Sequence, residues 1–395
     1  MSYKIKVKPE DFIVKEITNL EIRKKGQYTV YLLKKTNWNT VELLKRIAKR
    51  FKIPFENISY GGKKDRHAIT EQFITVKNCN KDLSLEEENF SIKKVGFSDV
   101  PMDPKHIEGN VFKITVRDVS EKRVEFVLPQ IEKIQKYGFI NYFDDQRFGS
   151  FDPKQGFIAE KILKKHYNGA LKIYLTHVYP EDKKEAKERK KFFYQNWGNW
   201  QLCLEKAKTQ FEQFAFQHLT DNPKDYITVL RKIHREEMSM FFSAYQSFLW
   251  NETARRLVLK LFDKDNLLSH RGIAGDYIFF DEPDLKNFKN FQSLQIPTAS
   301  SKAKMPDRLT EKIYFEILAE RELSLPLFNL KKIRQAFFKS VERTLLSMPF
   351  SLKYKVEKDD IYEDKKKILL GFILPRGAYA TMLIKRLFAK KSRGD

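Results

Sequence analysis

The chain has 395 residues, 75 of them Lys or Arg against 52 Asp or Glu, which leaves a formal net charge of +23. With 42% hydrophobic and 14% aromatic residues it can bury a core along its whole length, which excludes extended disorder, and that length suits two folding units or one domain with a large insertion. The charge balance points to a polyanionic partner, and clusters such as Lys45, Arg46, Lys49, Arg50 and Lys52 predict a distributed basic surface instead of a basic arm.

No apolar run approaches the roughly 20 residues needed to cross a bilayer, and the first residues, MSYKIKVKPEDF, lack the apolar stretch of a secretory signal. A cytoplasmic protein with no membrane segment is the expectation. Cys79 and Cys203 have no paired spacing and the seven histidines form no HxxH or HxxxH pair, so neither a disulfide framework nor a metal site is expected.

In chain order, YKIKVKPEDFIVKEI and QYTVYLLKK alternate apolar and polar residues and predict half-buried strands. Val41, Leu44, Ile47, Ala48 and Phe51 share one helical face behind an N-cap at Asn39 or Thr40. A Gly-Gly turn and a charged triplet then lead into a strand in which Ala68, Thr70, Gln72 and Ile74 alternate only imperfectly with Ile69, Phe73 and Val76, and NVFKITVRDV predicts a cleaner one. A helix over residues 120–136, interrupted by Pro129, precedes an aromatic, polar loop, NYFDDQRFG. From about 151 to 330 the periodicity is mainly helical and strand signal is sparse; the run EDKKEAKERKK predicts a solvated helical face. FSLKYKVEKDD and KKKILLGFILPRGAYATMLIKRLF then predict strands, a turn and an amphipathic last helix.

Taken singly, these motifs carry little chemistry. GGKKDR has the composition of an exposed turn and lacks the P-loop pattern GxxxxGK[ST]. NYFDDQRFG places aromatic rings beside Asn141, Gln146 and Arg147, side chains that stack on bases and bond their edges, but it equally suits a core-anchoring loop. YQSFLWN has the spacing of a packed core helix.

Together and in order, PEDFIVKE (residues 9–16), YGGKKDRHAITEQ (60–72), NYFDDQRFG (141–149), SAYQSFLWN (243–251) and LPRGAYAT (374–381) resemble the TruD family of pseudouridine synthases. The resemblance implies an α+β protein. A discontinuous catalytic domain, residues 1–150 and 331–395, would be built on an antiparallel sheet with flanking helices, and a mainly helical insertion, residues 151–330, would interrupt it, with RNA held in the cleft between them. It further implies an isomerase that needs no cofactor, acts on tRNA, most specifically on uridine 13, and works as a monomer without an obligatory protein partner.

By the same resemblance Asp65 corresponds to the catalytic aspartate, Lys6 to a basic residue near that carboxylate, Phe143 to an aromatic that meets the target base, and Asn141 and Tyr379 to further pocket residues. An ionised carboxylate can attack either the sugar C1′ or the uracil C6, and it needs a positive neighbour once the base excludes water. Lys6 is the expected partner, with Arg66 across a turn as the alternative. Lys64 and Arg66, pointing away from Asp65 in extended backbone, would serve phosphates. Phe143 and Tyr379 would stack on the flipped base and Asn141 would read its edge, with Gln146 and Arg147 as further substrate contacts. Asp144, where family members usually have Gly, would point outward or pair with Arg147. The competing reading from another class is a non-catalytic RNA-binding or RNA-chaperone protein that uses the same basic cleft.

Overall fold

A computed structural model describes residues 3–79, 81–283, 285–330, 332–333 and 337–391. The protein is α+β and forms two compact units, Met1–Phe139 with Ser347–Leu387, and Ile140–Leu346 with Phe388–Asp395. The chain passes between the units at 139/140, 346/347 and 387/388, whereas the sequence placed boundaries after 150 and 330 only. Residues 140–149 belong to the second unit because its other segments hold them: Asn141 N–H donates to Leu345 O and the Tyr142 hydroxyl to Ile278 O.

The first unit is organised by a nine-stranded sheet. Its strands include β1 (Phe12–Thr18), β2 (Tyr28–Thr36), β3 (Ile58–Tyr60), β4 (Ile69–Lys77), β5 (Leu85–Glu87), β6 (Phe90–Ser98) and β7 (Ile107–Val119). Lys366–Pro375 pairs with β7 and Phe350–Lys358 pairs with Lys366–Pro375 in turn, so chain from the far carboxyl-terminal end forms the edge of the sheet beyond β7. Nearly every neighbouring pair is antiparallel. The exception, β1 with β4, pairs Ile13 with Ile69 and Val14 with Thr70 in parallel. A parallel pair needs a crossover, here supplied by β2, the helix α1 (Thr40–Phe51) and β3.

That parallel pair fixes the site. Because β1 and β4 run the same way, the segments entering them, residues 4–11 and 61–68, lie at one end of the sheet. β2 runs antiparallel to β4 and pairs Lys35 with Thr70, so its last residues reach the same end.

Helix α1 begins as its sequence predicts, with the Asn39 side chain accepting from the N–H groups of Val41 and Glu42. Its buried Leu43, Leu44, Ile47 and Ala48 pack with Tyr31, Leu33, Ile74 and Val76 of the sheet. Two expectations are corrected here. The amino-terminal alternation does not make one long strand: β1 starts only at Phe12, after a 3-10 turn at Pro9–Asp11 and a left-handed Lys6 with φ of 57°. The helix α2 (Glu121–Tyr137) runs through Pro129 without interruption. Pro129 and Glu125, whose carbonyl loses its donor, both lie on the exposed face, where water can take the bond.

In the second unit the helix Arg235–Leu261 is the central element, with Phe241, Tyr245, Leu249, Trp250 and Leu257 buried along it. Shorter helices from Ile158–Leu163 to Arg308–Glu320 surround it in sequence. Strand content exceeds the sequence expectation: Leu267–His270 pairs with Tyr277–Phe280 and with Lys390–Lys391, and Gln295–Pro297 pairs with Glu342–Thr344. Tyr277–Phe280 is buried at all four positions, so it shows no alternation to read. Among the described residues no helix is long and apolar enough to cross a membrane.

Candidate active site

In the first unit, Asp65 sits in the irregular segment between β3 and β4. Gly61 opens this segment where a Cβ would lie 2.6 Å from the end of the Ile107 side chain, so a larger residue would have to displace Ile107 and Met102. The backbone is then braced residue by residue. Gln72 Nε2 donates to Gly62 O at 3.1 Å, Lys64 N donates to Thr40 Oγ1 at 3.1 Å, and the Lys35 ammonium donates to Asp65 O at 2.7 Å. The backbone that carries Asp65 is thereby held in one conformation.

Lys6 Nζ lies 3.4 Å from Asp65 Oδ1, with the two side chains 22% and 24% exposed. The same ammonium sits 4.2 Å from the centroid of the buried Phe12 ring. A left-handed backbone at a non-glycine residue is sparsely populated and must be held by its surroundings. Here Lys4 is bridged to Arg117 through both backbone bonds, at 2.9 and 2.8 Å, and the buried Asp11 carboxylate accepts from Arg117 Nε. Arg117 also reaches Asp359 and Asp360 at 2.8 and 2.9 Å. Burial works against the Arg117 charge, but these carboxylates raise its proton affinity on balance, so the clamp stays ionised. The Lys6–Asp65 pairing matches the partner expected from the sequence.

Lys64 and Arg66 do not share a solvent face. Arg66 is exposed, as a phosphate contact requires. Lys64 turns inward and places its ammonium 2.7 Å from Glu16 Oε2 and 2.7 Å from Asn110 Oδ1. The expected phosphate role of Lys64 is therefore corrected: Glu16 has no exposed side-chain surface and needs this cation. Tyr379, half-buried, follows the turn Pro375–Ala378, where Gly377 has φ of 87°, and leads into the helix Ala380–Leu387.

The second unit builds an aromatic site around Phe143. Asn251 brackets the residue, its Oδ1 accepting from Phe143 N and its Nδ2 donating to Phe143 O, both at 2.8 Å. Trp250 meets the ring edge-on at 5.7 Å and anchors itself by donating from Nε1 to Ile296 O. Arg343, paired across the short strands with Ile296, covers the ring with its guanidinium carbon 4.1 Å from the centroid. The segment beginning at Ile296 is thus bolted to the central helix, where Gln246 also donates to Ala299 O at 2.6 Å.

Asn141 departs from its expected role. Its Oδ1 accepts from Arg343 Nη2 at 2.8 Å, while Nδ2 donates to Thr344 O at 3.2 Å and the residue is 4% exposed. An amide engaged at both ends positions Arg343 and is not presented to a base edge. Asp144 is buried, so it does not point outward. Gln146 and Arg147 are exposed; Arg147 Nε donates to Ser247 Oγ at 3.3 Å, and its guanidinium lies 5.8 Å from the Phe143 centroid.

The sequence reading missed Lys35, Glu16, Asn251 and Arg343. Lys35 left a trace, since it continues the inward alternation of Tyr31 and Leu33, a position where an aliphatic residue belongs. Arg343 left none, being about 200 residues from its partners.

The family model for tRNA pseudouridine synthase D (TruD) matches residues 1–387. A Leptospira interrogans protein named tRNA pseudouridine synthase D is 33% identical over 405 aligned positions, covering 98% of this chain and 96% of that one. An Aquifex aeolicus protein of the same name is 32% identical, covering 98% of both chains. The crystal structure of the TruD protein from Methanosarcina mazei superposes with a TM-score of 0.74 at 24% identity, over 97% of this chain and 93% of that one, and so shares its fold. With the family model matched over nearly its whole length, the chain belongs to the tRNA pseudouridine synthase D (TruD) family.

Proposed function

We propose that this isomerase converts a uridine of tRNA, uridine 13, to pseudouridine, with Asp65 as the nucleophile and Lys6 as its counter-ion. The observation that carries the reading is the half-buried ion pair of Lys6 and Asp65 on a backbone braced from three sides. An ionised carboxylate attacks C1′ of the sugar or C6 of the uracil, the N1 glycosidic bond breaks, and the base turns. The C5–C1′ bond then forms, the Asp65 carboxylate leaves the carbon it attacked, the C5 proton leaves, and N1 regains a proton. The product is an isomer of the substrate, with no net redox change and no group taken from elsewhere.

Flipping a uridine costs a few kcal/mol of lost stacking, and aromatic side chains return about 1 to 3 kcal/mol per base. Tyr379, half-buried, is the ring assigned to that task, with Arg66, Arg147 and Gln146 as exposed polar contacts to the RNA; Phe143, expected to share it, is buried beneath the Arg343 guanidinium. The wide basic surface holds the rest of the tRNA through its phosphates.

Chemical mapping of pseudouridine in tRNA incubated with wild-type, Asp65→Asn and Asp65→Ala proteins tests the reading. Wild type should modify uridine 13, and both variants should bind the tRNA without modifying it. Turnover by Asp65→Ala at the wild-type rate would refute the nucleophile. Binding without modification by wild-type protein would make the chain a non-catalytic RNA binder.

A further inference from the structure

We infer that Lys35 is a positioning residue for the isomerisation, holding the Asp65 main chain from the interior of the sheet and placing a second positive charge behind the Asp65 carboxylate. The inference rests on the nucleophile assignment above and adds a residue that the sequence motifs do not contain.

Lys35 has no exposed surface. A buried ammonium is costly and normally persists by pairing with a carboxylate, as that of Lys64, the residue before Asp65, does with Glu16. Lys35 instead donates to a main-chain carbonyl, that of Asp65, at 2.7 Å. A lysine serving only to neutralise a buried acid would not be aimed at the backbone of the one residue that must attack.

The placement follows from the sheet. Lys35 is the penultimate residue of β2, pairs with Thr70 of β4, and shares the inward face of Tyr31 and Leu33. Its side chain therefore rises from the core toward the segment entering β4, while Lys6 meets the carboxylate from the partly exposed amino-terminal segment. Asp65 is held by two cations of different kind. One is accessible and can adjust to substrate; the other is dry and needs no reorganisation when a base displaces water.

The electrostatic coupling is direct. Burial pushes the Lys35 ammonium down to about 8, the Asp65 carboxylate opposes that fall, and the neighbouring Lys64 cation reinforces it.

The test compares Lys35→Met, which keeps chain length and apolar bulk while removing charge and donor, with wild type and Asp65→Ala. Single-turnover pseudouridine formation on saturating tRNA transcript and the dissociation constant for the same tRNA are measured separately. The expected result is a rate 10 to 100 times lower with affinity within twofold of wild type. A wild-type rate in folded Lys35→Met protein, or an affinity loss as large as the rate loss, would overturn the inference. If Lys35→Met fails to fold, Lys35→Gln is read by the same two measurements. Turnover by Asp65→Ala would instead remove the nucleophile assignment, whatever Lys35 does; an inactive Asp65→Ala beside a fully active Lys35 variant would remove only the role of Lys35.

Discussion

The Arg343 guanidinium lies 4.1 Å from the centre of the Phe143 ring while its Nε and Nη2 each hold an oxygen of Asn141, the carbonyl and the amide, at 2.8 Å. One planar cation thus sets both the backbone entering Phe143 and one face of the ring. Only the fork geometry of arginine supports stacking and two parallel hydrogen bonds at once.

Arg343→Lys should accordingly behave as a loss of structure at this site. About 1 to 2 kcal/mol of stability should disappear, from the broken hydrogen bonds and the weaker contact with the ring. Modification of tRNA should slow by roughly tenfold as Phe143 loosens. Urea denaturation and a single-turnover assay check the two parts, and a fully active Arg343→Lys protein would show that the clamp is dispensable.

Lys64 separates a structural cation from an RNA-binding one. Lys64→Met leaves the Glu16 carboxylate without its cation, 2.7 Å away in the wild type, and should cost roughly 3 to 5 kcal/mol. Adding Glu16→Gln should return part of that loss. The salt dependence of tRNA binding should not change, whereas loss of a phosphate contact would lower the slope by roughly 0.7 to 0.9. A reduced slope in the folded variant would return Lys64 to the RNA-facing set.

Much of the fold could be read from residue patterns where an element obeys one periodicity: α1 with its Asn39 cap and the alternation in β2 and β7. The pattern misled where alternation was accidental. Ile5 and Val7 mimic a strand, but a left-handed Lys6 and the turn at Pro9 break it, and neither leaves a mark in hydropathy. The site was less legible. Asp65 stands out only through resemblance, since nothing in GGKKDR distinguishes a braced loop from a solvated turn. The bracing comes from Thr40, Gln72 and Lys35, and only the parallel pairing of β1 with β4 shows that these converge with Lys6.

Lys6 should affect chemistry more than binding, because its ammonium faces the Asp65 carboxylate at 3.4 Å and the Phe12 ring at 4.2 Å. Lys6→Ala should lower the single-turnover rate 10- to 100-fold with tRNA affinity changed by less than about threefold. Asp359→Asn, which weakens the Arg117 clamp on the Lys4 segment, should produce a milder form of the same split. Equal losses of rate and affinity in Lys6→Ala would mark it as an RNA-contact residue instead.

Lys35 also predicts how stability depends on pH. Its ordinary value of 10.5 applies in the unfolded chain, and burial lowers it to about 8 in the folded protein. Below pH 8 both states carry the proton and the folded state bears the full penalty of the buried charge. Between about 8 and 10.5 the unfolded chain holds more protons, so this group's contribution to stability rises with pH across that window. Replacing it by methionine removes the titration. Lys35→Met should therefore gain stability relative to wild type at pH 7, by roughly 1 to 3 kcal/mol, and the gain should shrink toward pH 10. Urea midpoints of both proteins at the two pH values decide the matter: an equal difference at each would mean that the Lys35 ammonium titrates in the folded state as it does in the open chain.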